Sequence, residues 1–282
     1  MAVRKSYIAL MLTMAIAPLL IGCGAGRLQP WTPYNYYIYQ PHNVPMLRDS
    51  MELALDVALA HNYEHGDEVF PIPFPDINTS EIYGLNVNVA GSPIKHLGIM
   101  GGYTYYHSDR LKSSATGGPP TITSHIGEVA VGGYIPYAEY MVADFYLGNS
   151  LSFMEIIMPN KQAAKINLNK LFMQASIGFS YAPVDLAYTI RLGKASFFNM
   201  SHNFTSPEGD YLNRLAITDF IDVLEHSLTV RFGYKHVKVQ VQLGGGICPR
   251  EFESSETHYF LDKNYSCTAS LGLHIALGRK YP

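Results

Sequence analysis

Hydrolysis at a membrane surface needs an acid or a histidine poised beside a nucleophile or an activated water. His202, Asp210, Asp219, Asp222, His258 and Asp262 are residues of that kind, and all fall in long stretches without periodicity. No spacing ties them into one site, and side chains in such stretches are ordinarily solvated loop. Ser270 and His274 lie near the C-terminus in an alternating segment. A histidine set among Gly and Ala there is more often packed or paired than a base. No metal-ligand cluster, phosphate loop or nucleophile elbow occurs. The sequence therefore points to no cofactor, no metal and no enzyme.

The three cysteines carry the remaining chemistry. Residues 1–22 combine Arg4 and Lys5 with an apolar run and small residues at its end, the pattern of an export signal. The run is short for a membrane helix, which needs about 20 residues. It ends in Leu20-Ile21-Gly22-Cys23, which resembles the box at which bacterial lipoproteins are cut, with the cysteine thiol diacylated and made the new N-terminus. Two acyl chains hold a protein on a membrane where one is marginal. Residues 24–26 lack an aspartate and any acidic run. Cys248 and Cys267 sit near the outer ends of two adjacent predicted strands. Export into an oxidising compartment suggests a disulfide between them. Side-chain parity turns Cys248 inward and Cys267 outward, so the pairing requires a bulge at Gly244-Gly245-Gly246.

Charged residues make up only 15% of the 282-residue chain, whose net charge is -3, while 21 Tyr, 13 Phe and 24 Gly enrich it in aromatic and small side chains. Without basic clusters, nucleic acid is not an expected partner. Residues 27–48 are rich in Pro, Tyr and Asn without a period, and read as part of a lipidated tether over residues 23–49. From residue 50 the pattern becomes strict alternation. Met51, Leu53, Leu55, Val57 and Leu59 enclose Glu52, Ala54, Asp56 and Ala58, the period of a strand with two unlike faces. The same signature recurs near 83–90, 186–193, 228–234, 237–243 and 271–278, with weaker segments at 97–106, 126–134, 141–148 and 171–181.

These make roughly ten strands, with eight to twelve open, each near the 9 to 11 residues that cross a bilayer. Long connections at 62–80, 107–124, 155–169, 199–222 and 249–264 alternate with short turns. The expected fold is all-β: an antiparallel up-and-down transmembrane barrel over residues 50–282, with short periplasmic turns and long extracellular loops. Both barrel ends then lie on the short-turn side, which places the tether and the lipid anchor in the periplasm. A soluble lipocalin-like barrel is the rival. It needs a charged exterior, whereas the non-apolar face here is mostly Gly, Ala, Asn, Gln, Ser and Thr. That face suits a crowded lumen, leaving the aliphatic face for lipid. Tyr103 and Tyr105 at one side, with Tyr140, Tyr181 and Tyr234 at the other, fit two interfacial girdles. Asp56, Glu128, Asp144, Arg191 and Arg231 all fall on the inward parity. Buried charges must pair, so a lumenal ion-pair network that plugs the barrel is expected.

Two stretches carry a family resemblance: Tyr39-Gln40-Pro41-His42-Asn43-Val44-Pro45-Met46-Leu47, and Val89-Ala90-Gly91-Ser92-Pro93-Ile94-Lys95-His96-Leu97-Gly98-Ile99-Met100. The chain resembles the uncharacterised outer-membrane barrel lipoproteins of Bacteroidota. In these a Pro-x-x-x-Pro-Leu segment leads into the first strand and a Ser-Pro-x-x-His-Leu-Gly turn joins two early strands. Met46 stands where that family has Leu. Asp49-Ser50-Met51 resembles the short O-glycosylation acceptor of that phylum, a pattern short enough to arise by chance. The resemblance implies a fold and an outer-membrane address, and no activity. The functional expectation is a structural or surface-interaction role, with membrane lipid around the barrel and an extracellular partner at the 155–169 and 199–222 loops. A narrow solute channel and a rim hydrolase of lipid or peptide stay open as alternatives.

Overall fold

A chain that alternates apolar and small polar side chains can satisfy its backbone inside a membrane only if its sheet has no free edge. The computed structural model describes residues 38–64, 82–108, 121–158, 160–181, 183–205, 212–213, 216–217, 220–234, 236–252 and 260–278. In it ten antiparallel strands close on themselves: β1 (Leu53–Glu64), β2 (Ile82–Ile94), β3 (Leu97–His107), β4 (Thr121–Ala138), β5 (Met141–Ile157), β6 (Ala163–Tyr181), β7 (Val184–His202), β8 (Ile221–Tyr234), β9 (Val237–Phe252) and β10 (Phe260–Leu277). Each strand pairs with its sequence neighbours, and β1 seals the barrel against β10, from Leu53 opposite Leu277 to Glu64 opposite Ser266. The fold is the ten-stranded transmembrane barrel that the alternation predicts.

The two faces are as unlike as the pattern requires. Leu59, Val129, Leu171, Phe232 and Leu271 stand exposed on the outside, whereas Asp56, Arg191 and Arg231 on the inward parity are at most 1% exposed. An apolar exterior all around the circumference is a lipid-facing surface rather than a water-facing one. Aromatic rings mark its two borders. His61 stacks on Tyr83 at 4.4 Å and Tyr105 lies 5.1 Å from His125 at the loop end, while Tyr140 meets Tyr181 edge-on at 5.1 Å at the turn end.

Strand length departs from expectation. β4 to β7 run 17 to 19 residues, well beyond the about 9 to 11 that cross a bilayer. On β6 the outward side chains are apolar or aromatic from Leu171 to Tyr181, but Lys165, Asn167 and Asn169 continue the same face toward the loop end. The upper end of β6 thus carries a polar outer face, whereas neighbouring β5 keeps Leu151, Phe153 and Ile157 outward at the same level. The polar residues of β6 break the apolar alternation, which is why 155–169 read as a long loop. It is instead a tight hairpin at residues 158–162, closed by the Met158 amide on the Gln162 carbonyl at 2.7 Å.

Residues 38–48 bring the main correction. Expected in a tether beneath the barrel, they lie inside it. Every residue from 38 to 47 is buried. Ile38 packs with Ile82, Tyr106, Ile122 and Ile156 at the loop end, and Val44, Met46 and Leu47 pack with Tyr134, Val142 and Ala187 at the turn end. The segment descends the lumen and reverses into β1, with Met46 and Met51 in the left-handed region at φ 51° and 63°.

Candidate functional site: a lumen sealed by its own N-terminal segment

Pro41 and Pro45 keep residues 38–48 from joining a ladder, since each lacks an amide proton. A buried backbone outside a sheet must still find partners, and inward side chains from the barrel wall supply them. Asn62 and Tyr106 donate to the Tyr39 carbonyl at 3.3 and 2.9 Å. Gln242 donates to His42 at 3.1 Å, Gln174 to Asn43 at 2.8 Å and Arg231 to Val44 at 2.6 Å. In return, the Asn43 amide reaches the Val89 and Gly101 carbonyls at 3.0 and 3.2 Å, and the Tyr39 hydroxyl the His226 carbonyl at 3.2 Å. Two glycines make room: a Cβ on Gly244 would collide with the Tyr39 ring, and one on Gly178 with the end of Met46.

Around this segment the charged residues form two belts. In the upper belt Arg191 of β7 pairs with Glu128 of β4 at 2.8 Å and approaches Glu225 of β8 at 3.7 Å. Glu225 also takes Lys170 of β6 at 2.7 Å and His42 at 3.4 Å. Gln174 accepts from Arg191 at 2.6 Å, and the Phe172 ring lies 4.0 Å beneath the guanidinium. The lower belt holds Lys238 on Asp185 at 2.7 Å, and Asp56 between Arg231 at 3.5 Å and His274 at 2.6 Å. Two acids face two permanent cations in the upper belt, and the lower belt sets Asp56 and Asp185 against Arg231 and Lys238 with Asp144 buried nearby, so most of the buried charge is matched by pairing.

Of the residues expected in the lumen, Glu128 and Arg191 are brought together, as are Asp56 and Arg231. Asp144 is buried in the lower lumen opposite Ser176, and no ion pair of Asp144 occurs among the described residues. Sequence reading missed Lys170, Asp185, Glu225, Lys238 and His42. Lys238 already stood on the inward parity of a recognised strand. Lys170, Asp185 and Glu225 fall just beyond the expected strand ends, and longer strands would have brought them inside. His42 had no signal, because its segment has no period.

Among the described residues, the other candidates are not assembled into a site. His202 contacts Asn213 at 3.1 Å, and Asp222 pairs in the open with Lys194 at 3.1 Å on the outer wall. Asp210, Asp219, His258 and the side chain of Asp262 lie outside the described residues. His274 is engaged by Asp56, while Ser270 sits opposite Ala60 across the β1–β10 seam. Among the described residues, no three His, Cys, Asp or Glu side chains are grouped to hold a metal ion. The side chains of Cys248 and Cys267, and all of Cys23, also lie outside them. The backbone pairs Cys248 with Asn264 and Cys267 with Gly245 in unbroken register, so the bulge expected at 244–246 is absent. On the lipid-facing wall, Leu147, Leu171, Met173, Leu192 and Leu224 line an apolar cleft of about 580 Å³ with Lys194 and Asp222 at its edge. It is continuous with the membrane-facing surface.

No family model matches the sequence, and no curated protein matches it. Solved structures resemble the fold. The outer membrane protease OmpT from Escherichia coli is 12% identical at a TM-score of 0.45, over 80% of this chain and 97% of that one. OprG from Pseudomonas aeruginosa is 10% identical at 0.32, over 83% and 99%. Ail, the attachment invasion locus protein of Yersinia pestis, is 10% identical at 0.27, over 81% and 99%. No role is transferred from any of them.

Proposed function

We propose that this protein is an outer-membrane barrel lipoprotein that does not conduct, and that it acts through what it presents at the loop end. Cys23 is its acylation site. Membrane lipid surrounds the barrel, and an extracellular partner meets the loops. The observation that carries this reading is the occupied lumen. Ten consecutive residues of the chain's own N-terminal region are buried there, held by two belts of ion-paired side chains. A solute would have to break several buried ion pairs to pass. A barrel of this size is filled by side chains as a rule, and here a backbone segment is added to them.

The channel alternative loses its path, and the rim-hydrolase alternative lacks an assembled site among the described residues. On this reading the polar upper end of β6 and the hairpin at 158–162 are among the surfaces offered to a partner. Purified protein in planar bilayers tests the reading. The expected result is no steady current above the lipid background across a wide voltage range. A reproducible ohmic step would overturn it.

A further inference from the structure

The direction of the lumenal segment determines where everything before it emerges. Ile38 lies at the level of Ile82, Ile122, Ile156 and Ala164, the residues at the loop ends of β2, β4, β5 and β6. The chain therefore enters the barrel at the loop end and runs down to the turn end. We infer that the acylated N-terminus leaves at the loop end, so that the lipid on Cys23 inserts into the outer leaflet, on the cell-surface side. This rests on the reading of Cys23 as an acylated N-terminus and of the loop end as extracellular. It reverses the periplasmic anchor that the strand count alone suggests.

Three physical arguments carry it. The first is reach. Fourteen residues lie between Cys23 and Ile38, and the fifteen steps from one to the other, at about 3.3–3.6 Å each, extend at most about 54 Å. Beyond Leu171, β6 has eight residues, Ala163 to Lys170, so its rim stands about 20 Å above Leu171 once strand tilt is allowed for. The stretch is long enough to cross the rim and descend to the near leaflet. The far leaflet lies roughly 30 Å further. The way there through the lumen is already occupied by residues 38–47, and a route outside would put irregular backbone in hydrocarbon, where its polar groups have no partners.

The second is composition. Residues 24–37 include Trp31, the only tryptophan of the chain, with Tyr34, Tyr36 and Tyr37. Trp and Tyr are the side chains favoured at the membrane–water interface. The third is assembly. The lumenal segment immediately precedes β1, and the barrel closes at the β1–β10 seam, between its first and last strands. The segment can thus be laid along the inner face of the open sheet and enclosed when the seam zips. No acyl chain has to be threaded through a finished pore.

The test uses intact cells making the full chain, with a site for a sequence-specific protease inserted between Gly26 and Arg27, upstream of every lumenal contact among the described residues. A second version carries the site in the hairpin between Lys161 and Gln162. Cells are labelled with radioactive palmitate, treated with protease, and the folded barrel is recovered by its heat-modifiable gel mobility. The expected result is at least about a tenfold loss of label from the barrel in intact cells for the first insertion, with the hairpin also cut. Label kept until the cells are permeabilised, while the hairpin is cut in intact cells, overturns the inference. Protection of both sites overturns it too, by turning the loop end to the periplasm. Absence of label from the uncut protein also defeats it, and shows that the fault lies in the reading of Cys23 rather than in the path of the chain.

Discussion

The two charge belts of the lumen do similar work by different means. In the upper belt, Glu225 serves Lys170, Arg191 and His42, and Arg191 serves Glu225 and Glu128. Four strands and the lumenal segment are thus tied into one network. The lower belt divides into a Lys238–Asp185 pair and an Asp56 shared by Arg231 and His274. The upper belt grips the segment through a side chain, His42. The lower one grips it through the Val44 carbonyl, which any residue at that position would provide. The upper belt is therefore the more sequence-specific and the more cooperative of the two.

Arg191→Ala should break this contrast most severely. It leaves Glu128 without its cation and Glu225 with one fewer, both buried, and removing one partner from such a group costs about 3–5 kcal/mol. The expected readout is a marked fall in the temperature at which the folded barrel loses its fast gel mobility. Asp185→Asn leaves Lys238 without its counter-charge but keeps an acceptor, so it should cost less, about 3 kcal/mol, the lower end of that range. The amide still accepts from Lys238, and the Ser180 hydroxyl, 2.5 Å from Asp185, remains beside it. In denaturant titrations its loss should add to that of Arg191→Ala, because none of the ion pairs described above joins the two belts.

His42→Ala should cost about 1–2 kcal/mol by losing the Ser227 contact at 3.0 Å and the approach to Glu225. Combined with Glu225→Gln it should show coupling rather than additivity. Additive behaviour would mean that the upper belt does not grip the segment through that side chain. Lys194→Ala on the exposed outer wall should leave the melting temperature unchanged, as exposed pairs contribute little.

Strand alternation made the barrel, its lipid-facing parity and about half of the lumenal charges legible, because a strand's period of two sorts side chains without reference to distant residues. Strand ends were less legible. Toward the loop end of β6, Lys165, Asn167 and Asn169 break the apolar rhythm although the hydrogen-bonded ladder continues, and Lys170 went with them. Residues 38–47 were illegible for a different reason. Their burial depends on donors far away in sequence, Asn62, Tyr106, Gln174, Arg231 and Gln242, and no local period records such partners. A Pro-rich, Tyr-rich stretch before a first strand reads equally as tether or as plug until those donors are seen to converge on its carbonyls.

The central claim, that residues 38–47 occupy the lumen, is tested most directly by replacing Tyr39 with p-azidophenylalanine and irradiating the folded barrel in its membrane. Cross-links within the same chain to β8 and β9, near His226 and Gly244, are expected, since the Tyr39 ring packs there. Cross-links only to lipid or to other proteins would contradict the account.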